Sequence, residues 1–162
     1  MIKQRSWGDC GVAALAGALT MQINPHGASP EMFDDIYDYV EEALGRNNGL
    51  TIQEVCSVLH DRGYLPVYIP FAAFHEVSEL NGKAYQKTSK LSDLFHPAIV
   101  QVKTASGMLH FVYFDGNVVH DPSAAVLNPM KLSDYTLVDA VFIYDKSHVW
   151  ESSVAARARA LL

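Results

Sequence analysis

The sequence is poor in cysteine, in basic residues and in long hydrophobic runs, and each shortage excludes a class of protein. Two cysteines among 162 residues cannot form the disulfide framework of a small secreted domain. Twelve lysines and arginines against eighteen acidic residues give a net charge of −6, which argues against a nucleic-acid partner. The apolar run at residues 12–21 is far shorter than the roughly 20 residues that cross a bilayer.

The N-terminal segment also lacks the features of a signal peptide. Trp7, Gly8 and Asp9 interrupt the start of the apolar run, and no A-x-A-like cleavage site follows it. We therefore expect a cytoplasmic protein with no membrane association. Hydrophobic residues make up 49% of the chain, enough for one domain with a packed core over residues 1–162.

Three helices are predicted in the N-terminal part of the chain. The first runs from residues 6–9 to Met21, and small apolar residues on all of its faces indicate a buried central helix. The second opens at Ser29-Pro30-Glu31, which has the pattern of an N-cap, a first-turn proline and a first-turn acid. The third follows Thr51, which with Glu54 matches a capping box.

Strand patterns dominate the rest of the chain. Apolar, β-branched and aromatic residues concentrate in 97–103, 109–122 and 137–144, whereas the prolines within 64–71 restrict that segment to an edge strand. The Ala- and Arg-rich tail at 149–162 is predicted to be helical. Helices that precede strands in this way predict an α+β fold, with an antiparallel sheet packed against the helices.

The predicted hairpin at 109–122 determines which side chains face one another. Asp115-Gly116 between alternating residues is typical of a two-residue hairpin turn. That turn would set His110 directly opposite Asp121, with Cβ atoms about 4.5–5.5 Å apart. The carboxylate would then orient the imidazole and stabilise its charged form. The same pair also fits a purely structural role at the end of a hairpin.

Cys10 lies at the start of the first predicted helix, a position suited to a nucleophile. The reactive form of cysteine is the thiolate, and the unpaired N–H groups of a helix N-terminus stabilise it. Attack on a carbonyl also requires donors to the oxyanion, for which the Cys10 backbone N–H and the Gln4 side-chain amide are candidates. Gly8 and Gly11 are expected to leave room for a substrate backbone. Taken alone, Cys10 fits a small buried hydrophobic residue better.

These residues, in this chain order, resemble the active-site motifs of papain-like cysteine peptidases. The segment QRSWGDCGVAALAGAL at 4–19 is most similar to the bacteriocin-leader (double-glycine) peptidases and their stand-alone relatives, and His110-Phe111-Val112 and Asp121-Pro122 match their later motifs. The resemblance implies a papain-like fold. It also implies that Cys10 is the nucleophile, His110 the general base and acid, Asp121 its orienting residue and Gln4 an oxyanion donor.

The expected activity is hydrolysis of a peptide or isopeptide bond through an acyl-enzyme, on a peptide or protein substrate and without cofactor or metal. The same triad could pass the acyl group to an amine, so acyl transfer or transamidation remains an alternative. A non-catalytic domain that binds a peptide or protein is a second alternative.

Other side chains are given structural interpretations. Cys56 and His60 stand at a spacing that can hold a metal, but further ligands are missing, so a core cysteine and a surface histidine are predicted. His120 is expected to point away from His110. Residues 63–97 are expected to line the substrate cleft.

Overall fold

In a computed structural model, the described residues form three helices followed by a five-stranded antiparallel sheet. The structure describes residues 2–23, 30–74 and 89–147. The helices are α1 (Cys10–Ile23), α2 (Pro30–Leu44) and α3 (Ile52–Asp61). The strands are β1 (Tyr64–Pro70), β2 (Ala98–Lys103), β3 (Leu109–Phe114), β4 (Val119–His120) and β5 (Thr136–Asp145). The predicted α+β class is confirmed, whereas the predicted N-cap at Ser29 and helix at 149–162 lie outside the described residues.

The sheet has the strand order β1-β5-β2-β3-β4, so the first strand of the chain pairs with the last. β1 is an edge strand, as its prolines Pro66 and Pro70 predicted, because a proline lacks the N–H that a central strand must donate. β5 pairs with β2 over Thr136–Phe142 and with β1 over Asp139–Asp145. β3 lies between β2 and the short β4.

α1 is the central helix. Residues 11–20 are all buried, and the helix packs against α2 and β3. Alanines and glycines let the neighbouring elements approach closely, while Leu15 and Leu19 fill the remaining space, each contributing about 1.5–3 kcal/mol by burial. The prediction of a buried central helix is confirmed. No helix among the described residues has both the length and the apolar character needed to cross a bilayer.

The start of α3 is stabilised by the predicted capping box. Thr51 Oγ1 accepts a hydrogen bond from the Glu54 backbone N–H at 3.3 Å, and the Glu54 carboxylate accepts one from the Thr51 N–H at 2.8 Å. Arg46 donates to the same carboxylate at 2.6 Å. These contacts hold the loop before α3, which packs against the N-terminus of α1 through a hydrogen bond from Gly49 N–H to the Gly8 carbonyl at 2.8 Å.

The β3–β4 hairpin forms, but its predicted register is wrong. Tyr113 pairs with His120 rather than with Val118, and Phe114 with Val119 rather than with Asn117, so both paired residues of β3 face a partner two positions later than predicted. The Asp115 carboxylate accepts hydrogen bonds from the N–H groups of Asn117 and Val118, each at 2.8 Å, and thereby moves the turn one residue along the chain. Because side chains alternate with a period of two, a two-residue shift leaves every side chain on its predicted face.

Candidate active site

The four side chains that the sequence analysis selected line one cavity of about 430 Å³. Cys10 is the first residue of α1, His110 is the second residue of β3, and Asp121 directly follows β4. Gln4 lies in the extended segment that leads into α1. The fold therefore brings together residues that are 117 positions apart in the chain, from Gln4 to Asp121.

The His110 ring is hydrogen-bonded to the Asp121 carboxylate, which accepts. Its Nε2 lies 2.8 Å from Asp121 Oδ1, and the side chains are only 14% and 2% exposed. The predicted hydrogen bond between these residues is confirmed, but the direct cross-strand pairing that was expected to produce it is wrong. The β3–β4 ladder ends at His120, and Asp121 reaches His110 from the segment that leaves the strand.

The Asp121 carboxylate is held by more partners than the sequence indicated. The Ser123 backbone N–H donates to Oδ1 at 2.8 Å, and the Tyr135 hydroxyl donates to Oδ2 at 2.7 Å. Burial by itself raises the pKa of the Asp121 carboxyl, but the hydrogen bonds from His110, Ser123 and Tyr135 outweigh it and hold that pKa below its ordinary value. Asp121 is therefore a fixed negative charge behind the imidazole.

The backbone around Asp121 is also anchored. The Asn128 side chain accepts from the Asp121 N–H at 2.6 Å and donates to the Asp121 carbonyl at 2.9 Å. Lys3 Nζ donates to the carbonyl groups of Asp121, Ser123 and Val126, at 3.2, 2.6 and 3.1 Å. The segment before α1 thus ties the loop of Asp121 to the helix of Cys10. Sequence reasoning missed Lys3, Asn128 and Tyr135, because no local pattern reports contacts between such distant positions.

His110 also interacts with the Cys10 side chain. Burial lowers the pKa of His110, but hydrogen bonds with Asp121 and with Cys10 outweigh it and raise that pKa to about 9. The imidazole is therefore protonated at neutral pH. An imidazolium next to a sulfur atom at a helix N-terminus is the environment that stabilises a thiolate.

The Gln4 side chain lines the same cavity as Cys10. Its Nε2 donates to the Ser6 carbonyl at 3.2 Å, and its backbone N–H donates to the Pro122 carbonyl at 2.9 Å. A side-chain amide has two N–H bonds, so a second donor remains for an oxygen atom in the cavity. Gln4 Oε1 is buried and has no hydrogen-bond partner among the described residues. The position suits an oxyanion donor, and that role stays a prediction.

Asp9 explains why α1 begins at Cys10 rather than at residues 6–9. Its Oδ2 accepts hydrogen bonds from the N–H groups of Arg5 and Ser6, at 3.2 and 3.0 Å, and these close a turn before the helix. The Asp9 carbonyl then accepts the first helical hydrogen bond, from Ala13 at 3.0 Å. The turn thereby places Cys10, and not an earlier residue, at the helix N-terminus.

The expectation that Gly8 and Gly11 leave room for a substrate is wrong. A Cβ atom at Gly8 would lie 2.7 Å from Asn48 Cβ, and one at Gly11 would lie 3.1 Å from Leu50 Cβ. Both glycines therefore face the loop before α3. Their lack of a side chain allows this loop to pack against the start of α1, which positions Cys10 rather than opening a path to it.

A second cavity, of about 420 Å³, shares Cys10 and Leu109 with the first. Cys10 therefore lies where two cavities meet. Residues 63–97 were expected to line the cleft, but of those described only Phe74 lines either of the two cavities, and residues 75–88 lie outside the described part of the chain. Apolar side chains from the start of α3 and from β3 form much of its wall, and its polar lining includes Gln101 and Asp139.

The remaining candidates take the structural roles predicted for them. His120 Nε2 lies 2.7 Å from Asp115 Oδ2, and its ring stacks on Tyr113. Cys56 is partly buried against the core on the helix side, while the His60 side chain is 62% exposed. Within the described ranges, no three His, Cys, Asp or Glu side chains form a cluster that could hold a metal ion.

No protein-family model matches the sequence, and no curated protein is significantly similar to it. The case for an activity therefore depends on the geometry of the two cavities and of the residues between them.

Proposed function

We propose that the protein is a papain-like thiol hydrolase that cleaves a peptide or isopeptide bond. The main support is the hydrogen-bonded series from Cys10 through His110 to Asp121 in the wall of a cavity. A helix that presents the cysteine, packed on an antiparallel sheet that presents the histidine, is compatible with a papain-like fold. The order of the motifs along the chain supports the same assignment.

The reaction begins with the Cys10 thiolate beside the His110 imidazolium. Cys10 Sγ attacks the carbonyl carbon and forms a C–S bond, while the carbonyl oxygen becomes an oxyanion. The Cys10 backbone N–H and Gln4 Nε2 donate hydrogen bonds to that oxyanion. His110 then transfers its proton to the leaving nitrogen as the C–N bond breaks, which leaves a thioester on Cys10.

Release of the acyl group reverses these roles. His110, now neutral, takes a proton from water, and the hydroxide oxygen attacks the thioester carbonyl. The C–S bond breaks, the acid departs, and Cys10 recovers its thiolate beside the His110 imidazolium. Asp121, held by Tyr135 and Ser123, keeps the ring oriented throughout and compensates its positive charge whenever His110 is protonated.

Acyl transfer to an amine is a second candidate, favoured by one observation. Cys10 lies between two cavities, so one can hold the acyl group while the other holds an acceptor. Hydrolysis and transfer are distinguished by adding a primary amine to the reaction and measuring the fraction of amide product by mass spectrometry. A fraction that rises steeply with amine concentration favours transfer.

A thiol-directed probe at mildly acidic pH tests the proposed function. Chloroacetamide is expected to label Cys10 faster than Cys56, because burial and the nearby Asp139 charge raise the pKa of the Cys56 thiol. His110→Ala should slow the labelling of Cys10, while Cys56→Ser serves as the matched control and should leave it unchanged. Equally slow labelling of both cysteines in the wild type would refute the ion pair and, with it, the proposed function.

A further inference from the structure

The floor of the second cavity is formed where the helix-facing surface of the sheet changes from apolar to polar. Ile99 and Val141 are direct partners on this surface and belong to the core beneath the helices. Two residues further along β2 and two residues back along β5, the directly paired residues are Gln101 and Asp139. Both are buried, and both line the cavity that contains Cys10.

Asp139 is a buried carboxyl group with little internal compensation. It is 2% exposed, and its Oδ2 accepts one long hydrogen bond, from the Tyr68 hydroxyl at 3.3 Å. Among the described residues, its Oδ1 has no hydrogen-bond partner and no lysine or arginine forms an ion pair with it. Burial raises the pKa of Asp139 to about 6, against the opposing effect of Tyr68, so the group is mostly ionised at neutral pH.

Buried carboxylates in proteins are normally paired or fully hydrogen-bonded, because an isolated buried charge is costly. Asp139 lies in a cavity whose other described lining residues include no lysine, arginine, aspartate or glutamate. Leu50, Ile52 and Phe74 supply apolar walls to the same cavity. The combination of apolar walls and an unpaired carboxylate is complementary to a side chain with a long apolar stem and a cationic end.

We propose that the second cavity is a specificity pocket for a basic side chain of the substrate, whose ammonium or guanidinium group pairs with Asp139. This inference rests on the proposed thiol-hydrolase function, since Cys10 lines the same cavity. The basic residue therefore lies close to the carbonyl that Cys10 attacks. Pairing with the substrate supplies the hydrogen bonds that Oδ1 lacks within the described protein.

Peptidyl acyloxymethyl ketones test this pocket directly. Cys10 Sγ forms a bond to the ketone methylene carbon as the carboxylate leaving group departs with the electron pair of the broken C–O bond. Two pairs of probes are needed, with lysine or its uncharged analogue norleucine at the first or the second residue before the ketone. In the pair whose variable residue enters the pocket, the lysine probe should label wild-type Cys10 roughly tenfold faster than the norleucine probe, or more. This ratio is expected for a desolvated charge-assisted hydrogen bond.

Asp139→Asn is the matched variant, because it preserves the size of the side chain and removes its charge. The rate ratio of lysine to norleucine should fall to near one in this variant. Tyr68→Phe removes the internal hydrogen bond but keeps the Asp139 charge, so the lysine preference should persist. The wild-type ratio is informative even if the Asp139→Asn variant fails to fold.

Chloroacetamide, which has no peptide side chain, separates failure of the pocket from failure of the active site. The pocket is overturned if the lysine-to-norleucine rate ratio is near one in both probe pairs with the wild type. It is also overturned if that ratio is the same in Asp139→Asn as in the wild type. Both conclusions hold even when chloroacetamide still labels Cys10 selectively. If chloroacetamide labels Cys10 no faster than Cys56, the proposed function and the pocket are both overturned.

Discussion

The hydrogen bond between His110 and Asp121 sets the charge of the proposed active site. The variant Asp121→Asn measures how far this bond raises the pKa of His110. Asparagine keeps the shape of the side chain and an acceptor oxygen, but it lacks the negative charge. A hydrogen bond to a charged group contributes about 1.5–3 kcal/mol, and about 1.4 kcal/mol corresponds to one pKa unit. The pKa of His110, which is about 9 in the wild type, should therefore fall to about 7–8 in the variant.

The assay is an NMR titration of the imidazole ¹⁵N signals. The His110 signal is identified by its absence in His110→Gln. The measurement is repeated in a Cys10→Ala background, because two interacting groups titrate with values that belong to the pair rather than to either residue. In that background the fall in the pKa of His110 reports Asp121 alone.

Tyr135→Phe is the control for general disturbance of the site. It removes one hydrogen bond to Asp121 but leaves the carboxylate charge, so the pKa of His110 should change much less than in Asp121→Asn. The rate of Cys10 alkylation at mildly acidic pH should follow the same order of variants. A His110 pKa that stays near 9 in Asp121→Asn would refute the claim that Asp121 sets the charge of the imidazole.

Four further predictions concern stability and positioning. The pKa of His110 is raised from 6.5 to about 9 in the fold, so its stabilising contribution is complete below pH 6.5 and is lost as pH rises through 9. The difference in Tm between the wild type and His110→Gln should accordingly shrink between pH 6.5 and pH 9. The pKa of Asp139 is raised from 3.8 to about 6, so Asp139→Asn should increase the free energy of unfolding at neutral pH by about 3 kcal/mol at most. In urea unfolding this gain should disappear as pH falls from 6 to below 3.8, where both states of the wild type are protonated. Gly8→Ala should lower Tm and slow Cys10 labelling, because the new Cβ would lie 2.7 Å from Asn48 Cβ and overpacking costs about 1–3 kcal/mol. Lys3→Met should lower kcat more than it raises KM, because it releases three carbonyl groups of the loop that positions Asp121.

Each of these predictions has an outcome that contradicts it. A constant difference in Tm across the pH range would show that His110 has an ordinary pKa. Destabilisation by Asp139→Asn at neutral pH would mean that the carboxylate has a partner that asparagine cannot replace. Wild-type stability in Gly8→Ala would show that the loop before α3 does not pack tightly on α1. A change in KM alone for Lys3→Met would assign Lys3 to substrate binding.

Local features of the fold were predictable where a few neighbouring residues determine the outcome. The capping box of Thr51 and Glu54 involves atoms three residues apart, and the prolines of β1 exclude a central strand by their own chemistry. The turn of the hairpin was misplaced because the Asp115 side chain, rather than the Asp115-Gly116 dipeptide, organises the N–H groups of the turn. The contact between His110 and Asp121 forms despite this error, because Asp121 reaches the ring from the segment that follows β4.

The sequence by itself determined the order and type of the elements and the identity of the four candidate side chains. Periodicity, caps and turn residues act over a few positions, and the types of residue required for thiol chemistry are visible in the chain. Only the tertiary structure decided that Gly8 and Gly11 face the loop before α3 and that Tyr135 and Lys3 anchor Asp121. It also decided that Asp139, which has no cationic partner among the described residues, lines a cavity with Cys10. These contacts join residues that are distant in the chain, so packing of the sheet against α1, rather than any local spacing, brings them together.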